Sequence, residues 1–275
     1  MKTGISTACF YGRELNEDAV LQIGELGVKN AEIFFSCMAE YEPSFAKKIK
    51  QICGDYGIKM VSVHAMPTQF EPQLFSFHPK QYAEALDIYG RVLDAGAILE
   101  AEVYVFHGPI HLKQAKKLDI DMEFAAERVR KIADMAAERS IAFCYENVHW
   151  CWFKKPEFAK NLLKYCDNDN LFFTLDLKQA AQSGCRVSEF IDAMGERLRH
   201  VHVCDYKIDR EKGIIPVAPF CGDADFEYLR RRLSEQDYKG CLMLEIYKDN
   251  YNDYADLKSI YEKVDAFFNA SAEKL

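Results

Sequence analysis

Short apolar runs alternate with longer amphipathic stretches along the whole chain, and the runs share an ending. Residues 60–64 and 103–107 finish in His64 and His107. Residues 142–146 finish in Glu146, 172–176 in Asp176 and 242–245 in Glu245, while 200–204 carry His202. β-Branched and aromatic residues dominate these runs, so they read as buried strands. The side chains at their ends are 43, 39, 30, 26 and 43 residues apart, each interval long enough for one strand–helix unit.

The pattern predicts strands over 2–10, 31–35, 58–64, 102–107, 141–146, 171–176, 198–204 and 241–246. Helices are predicted from Asn16 to a stop at Gly27, then over 43–56, 79–96, 119–139, 156–166, 187–194, 226–234 and 254–268. Asn16 suits an N-cap, and Gly27 and Gly57 suit the position just past a helix end. Residues 66–78 hold two prolines and three phenylalanines. They are too broken for a helix and too aromatic for a solvated linker, so they are expected to fold over the barrel mouth, as a lid or as packing. Residues 205–222 read as a loop.

Eight strand–helix alternations with no break in composition predict a single α/β domain over residues 1–275, a (β/α)8 TIM barrel. An open doubly wound sheet would need a Gly-rich first turn. The first turn here is Phe10-Tyr-Gly-Arg-Glu14. In a parallel barrel the C-terminal strand ends share one mouth, where the six polar side chains would converge.

Two glutamates, an aspartate and a histidine form a hard, oxygen-rich donor set suited to Mn²⁺, Co²⁺, Mg²⁺ or Zn²⁺. Singly, a strand-end aspartate caps the next helix and a histidine in an apolar run is a hydrogen-bonded core residue. Gathered from four successive strands, the groups would repel and desolvate one another without a cation.

The totals fit this picture. The 275 residues, 49% of them apolar, suffice for one barrel with a sizeable core. Net charge is −8 and no basic stripe dominates, which argues against nucleic acid as a partner. The run Arg230-Arg-Arg232 reads as the solvated side of a helix. The ten cysteines include no Cys-x-x-Cys and read as reduced thiols, with Cys204 and Cys221 as passengers near the mouth. No apolar run approaches ~18 residues and no signal peptide opens the chain, so a cytoplasmic protein without a membrane partner is expected.

The segments Glu146-Asn-x-His149, Thr174-Leu-Asp-Leu-Lys-Gln-Ala180, His200-Val-His-Val-Cys-Asp205 and Leu244-Glu245 resemble the xylose-isomerase-like barrels. That superfamily includes sugar phosphate isomerases/epimerases, ketose 3-epimerases, inosose dehydratases and endonuclease IV. Gly222-x-x-Asp225-Phe226 fits its segment before the seventh helix. The resemblance implies one divalent metal ion held by Glu146, Asp176, His202 and Glu245, and a small carbohydrate substrate. It also implies that Glu146 and Glu245 form the acid–base pair, exchanging a proton on opposite faces of a metal-held ketose. A metal polarises a carbonyl and so eases loss of the neighbouring C–H proton, which agrees with that scheme. His64 and His107 match histidines that bind further metals in the endonuclease branch; in a one-metal enzyme they would hydrogen-bond substrate oxygens.

Gln179, Trp150 and Arg210 complete the expected substrate contacts. His149, Trp150 and Trp152 could wall a sugar face or simply pack their loop. Of Lys178, Lys207 and Arg210, one could meet an anionic group, although lysines in such loops are usually solvated. The sequence departs from the resemblance in two places. Gln179 stands where many members carry histidine, and an amide is a poor ligand and no base. Residues 207–222 lack the histidine that the endonuclease branch uses after strand seven. Both departures, with the acidic charge, weigh against DNA repair. The expectation is therefore an isomerase or epimerase of a sugar, ketose or sugar phosphate, the phosphate being less secure because no Gly-rich turn cradles one. A lyase of the inosose-dehydratase kind is the alternative, and Gln179 keeps open a non-catalytic sugar-binding barrel. A homodimer or tetramer is suggested by the resemblance alone.

Overall fold

In the computed structural model, which describes residues 1–111 and 120–270, eight parallel strands close into a barrel. Seven come in succession: β1 (Lys2–Ser6), β2 (Asn30–Phe35), β3 (Lys59–Ala65), β4 (Val103–Phe106), β5 (Ala142–Glu146), β6 (Leu171–Asp176) and β7 (Leu198–Val203). A hairpin of β8 (Asp205–Asp209) and β9 (Gly213–Val217) precedes the last barrel strand, β10 (Cys241–Leu244). Around the barrel the order is β1, β10, β7, β6, β5, β4, β3, β2, so each strand lies beside its sequence neighbour.

The helices are α1 (Asn16–Glu25), α2 (Pro43–Tyr56), α3 (Pro79–Ile98), α4 (Met122–Ala137), α5 (Pro156–Tyr165), α6 (Leu177–Gln182), α7 (Val187–Met194), α8 (Phe226–Glu235) and α9 (Tyr254–Asn269). Proline opens α2, α3 and α5, where its fixed φ suits the first turn and its missing N–H costs no bond. Gly57 closes α2 with φ 63°, a left-handed position that glycine occupies without strain.

Strand alternation divides the interior in two. On β4, Tyr104 and Phe106 join the large core between sheet and helices, whereas Val103 and Val105 form a small cluster with Ala142 and Cys144 inside the barrel. Val61, Cys241 and Met243 make a second small cluster. Each large apolar side chain fully buried this way contributes on the order of 1.5–3 kcal/mol. At Ala31/Glu32 the pairing of β2 with β3 skips Val61 and sets Glu32 opposite Ser62. Glu32 points into the barrel by ordinary alternation along β2, opposite to Ala31, Ile33 and Phe35 of the outer core, and the irregularity on β3 brings Ser62 to it.

Several elements differ from expectation. The first strand stops at Ser6, whose hydroxyl accepts from the Ala8 N–H and starts a 3-10 turn over Thr7–Phe10. Asn16 is the first residue of α1, not its cap; its amide donates to the Phe34 carbonyl and to Glu40, tying α1 to β2. The fourth helix starts at Met122 behind the cap Asp121, and residue 119 of its predicted span lies outside the described residues. Helix α6 was not foreseen. Nor was the hairpin, which closes at Gly213 with φ 76° and carries Pro216 on a ribbon that has no central strand. Within 66–78, Phe70 and Phe75 are buried, and Phe77 is exposed and stacked on Phe124 at 4.5 Å.

Candidate metal centre at the barrel mouth

Glu146 ends β5, Asp176 ends β6, His202 lies on β7 and Glu245 follows β10. One ligand atom from each lies within 4.8 Å of the other three. Local structure fixes them. Asn147, fully buried, donates from Nδ2 to the Asp176 carbonyl at 3.0 Å and accepts the Asp176 N–H at 2.8 Å, locking the ends of β5 and β6 together. Asp176 caps α6 through Oδ1, which accepts the Gln179 N–H at 2.6 Å, and its Oδ2 remains toward the cluster's cation, Lys178, at 3.6 Å.

His202 is the hub. Its Nδ1 is 3.0 Å from Glu146 Oε1 and 2.6 Å from Glu245 Oε2, while its Nε2 is 3.2 Å from Glu32 Oε2. A single Nδ1 proton cannot satisfy two carboxylates at once. Donor set and spacing therefore fit a divalent cation bound between Nδ1 and the three carboxylates. A second group, Glu32 with His200 and His202, also has metal-competent atoms. There Glu32 Oε2 already gathers Ser62 Oγ at 2.6 Å, His200 Nε2 at 3.1 Å and His202 Nε2 at 3.2 Å, the pattern of a carboxylate holding donors in place.

The electrostatics reflect crowded anions. Burial pushes the Asp176 carboxyl up to about 6, against the pull of Lys178 and with repulsion from Glu146 and Glu245. Burial opposes charge on Glu245 too, but the His202 imidazolium overrides it and holds that carboxyl well below the usual range. For His202, desolvation is outweighed by Glu245, Glu32 and Glu146, which raise it well above an ordinary imidazole.

A cavity of about 560 Å³ opens at this mouth, lined by Glu146, Asp176 and Glu245 together with His64, His107, Trp150 and Gln179. His64 stacks on His107 with ring centroids 5.5 Å apart. Gln179 Oε1 accepts from the His149 N–H at 3.1 Å and faces its Nδ1 at 2.6 Å. Trp152 turns away and packs edge-on against Phe75 at 5.2 Å. Arg210 is not brought to the cavity: it sits exposed in the turn between β8 and β9, because the hairpin projects that segment outward. Lys207 is exposed as well.

A family model described as xylose isomerase-like TIM barrel matches residues 20–268. The chain belongs to this family. Among curated proteins, inosose dehydratases from two strains of Clostridium botulinum are 24% identical over 165 residues. That match covers 54% of this chain and 53% of theirs, so the chain spans about half the length of the curated relatives it matches. Among solved structures, a D-tagatose 3-epimerase-like protein is 20% identical with a TM-score of 0.79, covering 98% of each chain. D-Psicose 3-epimerase from Clostridium cellulolyticum is 19% identical with a TM-score of 0.78, again covering 98% of each. A 3-keto-D-glucoside 4-epimerase from E. coli is 15% identical with a TM-score of 0.74, covering 98% of this chain and all of the other. At such identities these structures establish the shared fold. No helix among the described residues is long and apolar enough to cross a membrane.

For this xylose isomerase-like barrel, two polar residues at the mouth escaped sequence reasoning. Glu32 is fully buried mid-strand, on the face of β2 that alternation turns into the barrel rather than at the strand end. Glu71, also fully buried, comes from the 66–78 segment and accepts from Tyr104 Oη at 2.7 Å and from the His107 and Gly108 N–H groups at 2.9 and 3.1 Å. Its Oε2 lies 3.2 Å from His107 Nδ1, which turns Nε2 toward Glu146 Oε2 at 3.4 Å.

Proposed function

We propose that this chain is a divalent-metal-dependent isomerase or epimerase of a small carbohydrate, a ketose or a sugar phosphate, that moves a proton at the carbon beside a carbonyl. The observation that carries the reading is the convergence of Glu146 and Glu245, from strands three apart in the barrel, on one nitrogen of His202. A cavity of about 560 Å³ matches the size range of small-molecule sites.

Glu146, Asp176, His202 and Glu245 would hold the cation. Bound there, it would supply Lewis-acid polarisation of the substrate carbonyl. One glutamate takes the C–H proton, and the electron pair of that bond moves to the carbonyl oxygen. The other glutamate returns a proton to the opposite face and inverts the carbon; return to the former carbonyl carbon, with the adjacent hydroxyl proton passing to the former carbonyl oxygen, isomerises the sugar. His64, His107 and Gln179 hydrogen-bond substrate oxygens, and Trp150 offers an apolar face to the sugar ring. Arg210 drops out of this contact set.

Incubation with Mn²⁺ in D₂O and a panel of D-tagatose, D-psicose, D-fructose and their phosphates tests the reading. Deuterium at the carbon beside the carbonyl is expected for at least one sugar; none across the panel would overturn proton abstraction from ketoses.

A dehydratase is the second reading, favoured by the inosose dehydratase relatives and by His107. Burial pushes the His107 imidazole down, but Glu71 more than compensates and lifts it to about 9. That makes it an acid able to protonate a departing hydroxyl: a glutamate takes the C–H proton, the adjacent C–O bond breaks, and water leaves with the His107 proton. New ultraviolet absorbance from an enone distinguishes this outcome.

A further inference from the structure

Lys178 is drawn into the cavity by the first turn of α6. It is only 4% exposed. Its Nζ lies 3.6 Å from Asp176 Oδ2, 3.3 Å from Tyr247 Oη and 4.8 Å from the centre of the Tyr247 ring. Asp176, Lys178 and Tyr247 line the same cavity as the two glutamates.

An ammonium has three N–H donors. Tyr247 accepts one at 3.3 Å and Asp176 faces the charge as an ion pair at 3.6 Å, so N–H donors are left for whatever fills the cavity. Because Nζ donates to the Tyr247 oxygen, the phenolic proton is also free to donate. Lys178 adds nothing to metal ligation: a fixed positive charge beside Asp176 repels a divalent cation. A positive group buried against the reacting centre is instead suited to an oxygen on which negative charge develops.

We propose that Lys178, assisted by Tyr247, is a catalytic hydrogen-bond donor to the substrate oxygen that becomes anionic when the adjacent C–H proton leaves. This rests on the reading of the mouth as a proton-abstraction site. The C–H proton goes to Glu146 or Glu245, its electron pair moves to the carbonyl oxygen, and Lys178 keeps its own proton throughout. The ligand class recognised is thus an enediolate or another planar, oxygen-rich anion, and a neutral ketose becomes such a ligand only as it reacts.

The test uses full-length protein loaded with Mn²⁺, with glycolohydroxamate as an enediolate-like probe, in calorimetric titrations of the wild type, Lys178→Met and Lys178→Arg. Lys178→Met is expected to bind the probe roughly tenfold or more weakly, the scale of one charge-assisted hydrogen bond. Its Mn²⁺ affinity should stay equal or rise, and Lys178→Arg should keep most of the probe affinity. Unchanged probe binding by Lys178→Met overturns the proposal, as does a parallel loss of probe and Mn²⁺ binding, which would mark the lysine as a structural prop. Wild-type protein that takes up no Mn²⁺ sinks the reading of the mouth and the proposal with it, a result distinguishable from one in which metal binds and the lysine proves idle.

Discussion

Glu32 Oε2 sits 3.2 Å from His202 Nε2, on the side of the imidazole away from the three-carboxylate cluster. A proton on Nε2 directed at Glu32 leaves the Nδ1 lone pair facing Glu146 and Glu245. Such outer carboxylates fix the orientation of a metal-binding histidine and raise its basicity.

Replacing Glu32 with Gln should keep the side-chain volume but lose the anionic acceptor. Mn²⁺ affinity is expected to fall roughly 10- to 100-fold, measured by calorimetry. Glu32→Ala also strands Ser62 and His200, and should cost about 3–5 kcal/mol in denaturant unfolding. Wild-type Mn²⁺ affinity in Glu32→Gln would show that Glu32 does not position His202.

Asp176 sets a pH dependence. Its carboxyl is raised from 3.8 to about 6 by burial, so the folded chain holds that proton more tightly than the unfolded chain. Its stabilising contribution is therefore complete below 3.8 and lost as pH rises to about 6. Glu245, held low by His202 despite its burial, acts in the opposite sense: its contribution is full above 4.5 and is lost progressively as pH falls below that value. Comparing metal-free wild type with Asp176→Asn between those limits isolates the first effect: the wild-type melting temperature should fall relative to the variant as pH rises. Metal uptake must expel the same proton, so Mn²⁺ affinity should drop about tenfold per pH unit below the Asp176 value. A flat profile would contradict both statements.

Glu71 ties the 66–78 segment to the end of β4. Alanine there leaves Tyr104 Oη and the His107 and Gly108 N–H groups without their acceptor. The expected loss is about 3–5 kcal/mol by guanidinium unfolding, and Glu71→Gln should lose less. A loss within about 0.5 kcal/mol, the range of an ordinary surface substitution, would show the segment is not anchored there.

The ten cysteines should all titrate as free thiols after unfolding. In the native protein Cys37 and Cys221 are exposed and should react first with a disulfide reagent, followed by half-buried Cys185. Burial pushes the Cys144, Cys204 and Cys241 thiols up to about 12, which should make them inert until the barrel opens. Fewer than ten thiols in the unfolded, unreduced chain would reveal a disulfide.

The barrel was legible because its strands are short β-branched and aromatic runs at strand–helix spacing, with prolines opening three of the helices. The four clustered residues were legible because each stands at or near the end of such a run. Helix α6 was not: six residues make under two turns, too few for a helical period to show, and its start depends on the Asp176 cap. The sequence therefore left Lys178 open between a solvated loop lysine and a contact to an anionic group, and α6 turns it inward. Glu32 escaped because it lies mid-strand, and only its partners from distant strands, Ser62 of β3 and His200 and His202 of β7, give a carboxylate there a role. Arg210 was expected at the mouth for want of the hairpin that carries it away.

Anomalous X-ray scattering from a crystal soaked in Mn²⁺ tests the central claim most directly. The account predicts one strong manganese peak about 2.0–2.2 Å from Glu146, Asp176, Glu245 and Nδ1 of His202, the distance range of carboxylate and imidazole ligands. No peak at that position, or a peak on the Glu32 side against Nε2 of His202, would contradict it.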